Sequence, residues 1–390
     1  MKNYAKITPE GTRDYLFEEV RAREVTKQAL TRSFELAGFA PVATPHMEFY
    51  ELFRRQTAGW LVTDWHYHAT DSRGRLLVLR PDSTLPIARI AATRLQNEAL
   101  PLRLYYHQSV FRRSRFYTGH SDETMQSCVE LLGAAGLRAD LEILALAADA
   151  LRAAKAPGFR IELGHAAIFT CLTQALGVSE ELHEQLVAAT EAKNLPALQE
   201  LLEPFGSKPA AAALLALPKL FGGEEVFARA KPLFKEAKLK QALDYLAQLY
   251  AQLKLLGLHE CIDIDLGLVR GQGFYTGLSF RGYIEGSGKA VLAGGRYDSL
   301  LGEFGRPAAA VGFVVQLDPL AEARLIAGDV PAAPAAEVLI FAETGREAAA
   351  LRCAEQLRAE GRVCVVASCD SLEEARAFAE ERGIGEVIVA

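Results

Sequence analysis

Hydrophobic and polar positions alternate over Ile262–Tyr283. Ile262, Ile264, Leu266 and Leu268 interleave with Asp263, Asp265 and Gly267, the period of two expected of a strand with one buried face. The run Val269–Gly277 follows, where three glycines surround Arg270 and Tyr275, and a second strand is expected over Leu278–Ile284. Glycines at such a bend let the backbone pass where a Cβ would not fit. They leave Arg270 and Tyr275 presented from a strand edge. A guanidinium that can grip a carboxylate bidentately, beside a phenol, suits a small polar ligand; the same pattern also suits a purely structural hairpin.

Other periodicities set the surroundings. Val25, Ala29, Leu30, Phe34 and Ala37 share one face of a helix expected over residues 13–37 and closed by Gly38. Residues 38–48 read as an extended segment whose two prolines, Pro41 and Pro45, suit an edge or an interface. A strand is expected at Leu76–Leu79. The turn Arg80–Pro86 then leads into a helix through Leu95, with Asp82, Ser83 and Thr84 as natural N-caps. Strands at Leu102–Arg112 and Met125–Leu132 flank a polar loop, and the spacing of Gln126 and Glu130 puts both on one face.

A helix follows at Leu137–Leu151 and a short strand at Phe159–Leu163. From His165 to about Lys254 the composition turns to Ala, Leu, Glu and Lys. Several helices are expected there, broken near Leu195-Pro196, Pro204–Pro209 and Gly222-Gly223. The sheet resumes at Cys261 and continues through Val291–Asp298 and Ala310–Leu317. A Pro/Ala-rich linker spans 325–335, and Glu337–Ala390 reads strand–helix–strand–helix–strand.

Composition narrows the function classes. The 390 residues are 50% hydrophobic and 24% charged, enough for two or three domains with real cores. No apolar run approaches the ~20 residues of a membrane span, and the N-terminus lacks a signal-peptide core, so a cytoplasmic location is expected. Six scattered cysteines without a CxxC make no disulfide framework. His66 and His68 have no Cys or acidic companions at ligand spacing, so no metal is expected. The net charge of −6 does not favour nucleic acid; the densest basic group, Arg112, Arg113 and Arg115, is small.

The run DLGLVRGQGFYTGLSF resembles the histidine-specific signature of histidyl-tRNA synthetases. Residues 13–48 are similar to motif 1 of class II synthetases, a helix and Pro-ended strand that build the homodimer interface in that class. LRPDST, with Asp82 and Thr84, stands where the family holds the substrate's α-amino group. The strand–loop–strand at 102–132 is similar to motif 2, where Arg112 matches the arginine on the ATP α-phosphate, and Gln126 and Glu130 match amino-acid contacts. GGRYD places Tyr297 at the pocket wall.

The resemblance implies an α+β fold, a class II synthetase-like antiparallel sheet flanked by helices. Its core would span 1–325 with a helical insertion at about 165–257. A linker at 326–335 and a truncated anticodon-binding-like α/β domain at 336–390 would complete it. It implies histidine contacts from Asp82, Thr84, Gln126, Glu130, Arg270, Tyr275 and Tyr297.

The departures fall on the ATP side. Motif 2 ends in Phe-Arg-x-Glu in the family, whereas here Ser114 replaces the glutamate; Pro319 stands in place of the motif 3 arginine. Losing two charge-assisted contacts removes about 3–6 kcal/mol, on the order of 10²–10⁴ in ATP affinity. The signature also lacks its usual aspartate, reading Arg270-Gly271-Gln272-Gly273-Phe274-Tyr275. Histidine contacts kept beside lost ATP contacts resemble the regulatory subunits of ATP phosphoribosyltransferase. That resemblance implies a non-catalytic protein without cofactor, in which Arg112 is a vestige of the ATP site. It would partner the short-form catalytic subunit as a homodimer within a hetero-oligomer. Histidine would be its effector for feedback inhibition, and neither tRNA nor membrane is expected as a partner. A divergent histidyl-tRNA synthetase and a tRNA-binding control module remain the alternatives.

Overall fold

The computed structural model describes residues 4–54, 66–113, 121–206, 208–269 and 275–390. The chain divides into two units, Met1–Val330 and Pro331–Ala390. Among the described residues no helix is long and apolar enough to cross a membrane.

The larger unit is built on a nine-stranded sheet, which collects strands from the whole length of the unit. Its strands are β1 (Ala40–Pro41), β5 (Leu102–Phe111), β6 (Glu123–Leu132), β7 (Arg160–His165), β8 (Phe221–Gly222), β9 (Ile262–Asp265), β10 (Leu278–Tyr283), β11 (Leu292–Arg296) and β12 (Ala310–Gln316). They lie in the order β1-β5-β6-β12-β11-β10-β7-β9-β8. The β1–β5 and β7–β9 pairs are parallel and all others antiparallel. A separate small antiparallel sheet holds β2 (Met47–Phe49), β3 (His68–Thr70) and β4 (Leu76–Leu79).

Strand alternation divides the side chains of the large sheet between two cores. Val129 and Leu131 of β6, with Val311, Phe313 and Val315 of β12, enter the large core. There they pack with Leu30 and Phe34 of helix α1 (Phe17–Leu36), Ile143 and Ala147 of α4 (Leu137–Ala153) and Leu320 of α12 (Leu317–Ile326). Cys128 and Leu132 take the opposite phase. They join a second core with Leu85, Ile87 and Ala91 of α3 (Thr84–Ala92), Tyr106 and Tyr297; α2 (Tyr50–Arg54) contributes Phe53. Polar residues in this second phase line the cavity described below.

The helical stretch is α5 (Ala166–Leu176), α6 (Glu180–Glu191), α7 (Leu195–Leu202), α8 (Pro209–Ala216), α9 (Glu225–Ala230) and α10 (Ala237–Leu255). The break expected near Leu195-Pro196 falls just before it, between Glu191 and Leu195, and Leu195 opens α7. Asn194 accepts the Ala197 N–H at 3.2 Å and Pro196 occupies the first turn, where its missing N–H costs nothing. Gly222, expected in a helix break, belongs to β8, which pairs with β9 and returns the helical stretch to the sheet edge.

Other boundaries shift for local reasons. The first helix starts at Phe17, not near residue 13, because Leu16 is extended and Phe17 adopts φ +40°. Helix α3 ends at Ala92, three residues before Leu95, where Thr93 turns its hydroxyl back onto Arg89 O at 2.7 Å. Helix α12 runs to Ile326, and α11 (Leu300–Glu303) is a single turn after β11.

In the smaller unit, β13 (Val338–Phe341) lies between β14 (Cys364–Val366) and β15 (Glu386–Val389), all parallel. Val338 and Ile340 pack on Ala350 and Ala354 of α13 (Glu347–Ala359). Leu339 and Phe341 pack on Ala375 and Ala379 of α14 (Leu372–Glu381). A central strand covered on both faces is what a parallel βαβ arrangement requires.

Candidate functional site

Residues directly opposite one another across a sheet share a face. Glu130 on β6 pairs with Gly312 on β12, Gly312 with Gly295 on β11, and Gly295 with Ser279 on β10. The two inner members of this row have no side chain. A Cβ on Gly312 would run into the Glu130 carboxylate and the Val129 carbonyl, and one on Gly295 would lie 2.7 Å from Cδ1 of Tyr275. The glycines therefore let the Glu130 carboxylate and the Tyr275 ring lie against bare backbone. The next row reads Tyr106, Cys128, Val314, Ala293 and Arg281, and a third pairs Gln108, Gln126 and Gln316.

Over this floor lies a cavity of about 600 Å³, in the range of small-molecule sites. Asp82, Thr84, Arg112, Gln126, Glu130, Tyr275 and Tyr297 all line it. The eighth expected residue, Arg270, lies outside the described residues, as do Ser114 and Gly271–Phe274. Pro319 is in the first turn of α12 and is not part of the cavity wall.

Asp82 does double duty. Its Oδ1 accepts the N–H groups of Thr84 at 2.8 Å and Leu85 at 3.3 Å, so it caps α3, while Ser83 makes no capping bond. Its Oδ2 is 3.8 Å from Nη2 of Arg112, whose Nε donates to Pro81 O at 2.6 Å. Arg112 thus braces the turn that carries Asp82. Burial pushes the Asp82 carboxyl up, against the opposing charge of Arg112.

Glu130 is gripped from two sides. Tyr106 donates to Oε1 at 3.0 Å, and the Tyr297 hydroxyl donates to Oε2. Burial pushes the Glu130 carboxyl up to about 7, against the hydrogen bonds from Tyr297, Tyr106 and Thr84. Tyr106, Tyr275 and Tyr297 are raised in turn, by burial first and then by neighbouring acidic groups. Their hydroxyls stay neutral donors at any physiological pH. Tyr297 is placed by its neighbours in GGRYD. Arg296 pairs with buried Asp140 of α4 and donates to Asp298 at 2.9 Å, and the Tyr297 amide donates to Ala310 O at 2.8 Å.

The arrangement offers an acidic and hydroxylic corner for a cation at Asp82 and Thr84. A second carboxyl ringed by phenols suits a ring with N–H and acceptor nitrogens. Sequence reasoning missed Tyr106, Ser279 and Arg281. Tyr106 was within reach, because it has the strand phase that faces Glu130. Ser279 and Arg281 become visible only through the register of β10 against β11. Among the described residues no cluster of His, Cys, Asp and Glu is placed to hold a metal ion. Buried His66 packs edge-on against Phe53 instead.

A family model for histidyl-tRNA synthetase matches residues 11–320. A Symbiobacterium thermophilum protein named ATP phosphoribosyltransferase regulatory subunit is 40% identical over 384 residues, which is 97% of this chain and 96% of that one. One of the same name from Clostridium kluyveri is 34% identical over 387 residues, 98% and 99% of the two chains. A solved Bacillus halodurans structure, described as an ATP phosphoribosyltransferase regulatory subunit/histidyl-tRNA synthetase, superposes with TM-score 0.86. Its sequence is 31% identical, and the match covers 100% of this chain and 99% of that one. Histidyl-tRNA synthetase from Nostoc shares the fold, with TM-score 0.76 at 22% identity over 98% of this chain and 90% of that one.

Proposed function

This chain belongs to the ATP phosphoribosyltransferase regulatory subunit family, on the histidyl-tRNA synthetase fold, and we propose that it binds free histidine in the Glu130 cavity and so sets the activity of a separate catalytic subunit. The observation that carries this reading is the convergence of Asp82, Thr84, Gln126, Glu130, Tyr275 and Tyr297 on one cavity. Histidine offers an ammonium, a carboxylate and an imidazole. Asp82, Thr84 and Gln126 supply acceptors for the ammonium. Glu130 and Tyr275 supply an acceptor and a donor for the ring nitrogens. Arg270 is assigned to the carboxylate on the family resemblance.

The catalytic partner, a short-form ATP phosphoribosyltransferase subunit, is active with this chain bound. Histidine inhibits it by binding one state of the complex better than another, since a ligand shifts an equilibrium only by its differential affinity. The chain performs no chemistry itself. Residues 1–325 form the histidyl-type core with its helical insertion, and 336–390 an anticodon-binding-like domain.

Calorimetric titration of histidine into the chain, alone and with the catalytic subunit, tests the reading. Heat in both titrations, with inhibition of the reconstituted transferase, is expected. Binding seen only with the catalytic subunit present moves the site to the interface and sinks the assignment. The rival reading, a divergent histidyl-tRNA synthetase, requires histidine-dependent pyrophosphate exchange from ATP. None is expected, given Ser114 and Pro319 at two ATP-contact positions.

A further inference from the structure

The C-terminal end of α6, in the helical insertion, makes two ion pairs that bracket the signature segment. On the entry side is Asp265, the last residue of β9, which is 3% exposed. Its Oδ1 accepts the Gly267 N–H at 2.8 Å and its Oδ2 takes Lys193 Nζ at 3.1 Å. One carboxylate thus holds the first turn of the segment with one oxygen and the insertion with the other. Lys193 has φ +49°, a conformation that L residues seldom adopt, and its ammonium also stands 4.5 Å over the ring of Phe221, the register partner of Asp265. On the exit side, Arg281 of β10 lines the cavity, and Glu191 grips its guanidinium at 2.8 and 3.4 Å in a fork.

Exposed ion pairs contribute little; here the Arg281 and Glu191 side chains are 20% and 15% exposed, and Lys193, itself 46% exposed, reaches an Asp265 side chain that is only 5% exposed. Glu162 of β7 lies between the two pairs, in register with Arg281 and Asp263. Burial, then the Asp265 charge, raises its carboxyl, while Lys193 and Arg281 oppose this. Two residues apart in sequence, Glu191 and Lys193 thus reach both flanks of the segment that carries Tyr275. Neither lines the cavity.

We propose that Glu191 and Lys193 are positioning residues: the end of α6 fixes both flanks of the signature segment, so the helical insertion sets histidine affinity without touching the ligand. This rests on the reading of the cavity as a histidine site. The test compares full-length wild type, Lys193→Met and Glu191→Gln by hydrogen exchange without ligand, and by calorimetry with histidine.

The expected result is faster exchange at the amides of Leu266–Val269 and Tyr275–Gly277 in both variants, with α12 unchanged. Histidine binding should weaken by roughly 3–30-fold, and Lys193→Arg should restore both readouts. Unchanged exchange in the two flanks, or an increase spread over the whole sheet, overturns the proposal. Should wild type bind no histidine, the functional reading fails, while the ligand-free exchange comparison still decides the positioning role.

Discussion

The Tyr297 hydroxyl donates to one oxygen of the Glu130 carboxylate while Tyr106 donates to the other at 3.0 Å. Both phenols are buried, so each oxygen is occupied by a neutral donor, and among the described residues no side-chain cation pairs with this carboxylate. Burial wins over these hydrogen bonds, and the carboxyl sits up to about 7. Four consequences for the site and the assembly can be measured.

The folded pKa of Glu130 lies above its unfolded value near 4.5. The native state therefore holds the proton more tightly. The stability this confers is full below the unfolded value and is lost as pH rises through about 7. The change is about 3 kcal/mol at full extent. Urea unfolding at pH 5 and pH 8 should show a flatter dependence in Glu130→Gln than in wild type. Equal slopes would remove Glu130 as the cause.

Gly312→Ala should destabilise by about 1–3 kcal/mol, because the new methyl meets the Glu130 carboxylate and fixed Val129 backbone. Histidine binding should fall with it. Gly288, also on the cavity wall, has nothing within 4 Å of an added Cβ. Gly288→Ala should stay within ~0.5 kcal/mol of wild type. Thermal unfolding of the pair checks the contrast.

Arg270→Ala and Glu130→Ala should each weaken histidine by about 30-fold or more, from the roughly 2–5 kcal/mol that a truncated buried charged contact costs. Both should relieve histidine inhibition of the reconstituted transferase and leave its activation largely intact. If instead the two residues are structural, the variants lose folding stability and wild type shows no histidine heat.

A homodimer through α1 and the Phe39–Pro45 segment should survive dilution to micromolar. Phe17 and Leu36 of α1 are 86% and 76% exposed, and nearby in sequence Met47 is 51% exposed, more apolar surface than an isolated chain gains by showing. Sedimentation equilibrium decides it; a monomer at that concentration counts against the interface.

The sequence carried a good deal of this. Strict alternation made β9 legible and an unbroken apolar run made β4 so, and the phase of β6 put Gln126 and Glu130 on one face before any strand was paired. Boundaries were harder wherever one residue decides them: Phe17 with its positive φ, Thr93 with its back-bonded hydroxyl, Asn194 as an N-cap. The two-residue strand β8 was beyond reach, since its pairing partner lies some forty residues on in the chain. The site divides the same way. Residues in local motifs, such as Asp82 or Tyr297, could be named singly. Arg281, which owes its place to strand register and to Glu191 from a distant helix, could not.

The bare stretch of backbone at Gly312 and Gly295 carries a consequence for regulation. Peptide planes hydrogen-bonded in mid-sheet have no rotamers to change, so this part of the cavity is a plate whose shape stays fixed while the sheet is intact. On the reading of this cavity as a histidine site, a difference in affinity between two states would arise at the rim, at the Asp82 turn and beside Tyr275, each tied to the sheet edge by a backbone hydrogen bond, Phe111 N–H to Arg80 O at 3.0 Å and Thr276 N–H to Arg296 O at 2.7 Å. On that reading, control of the site is a matter of how closely those two walls approach one rigid slab.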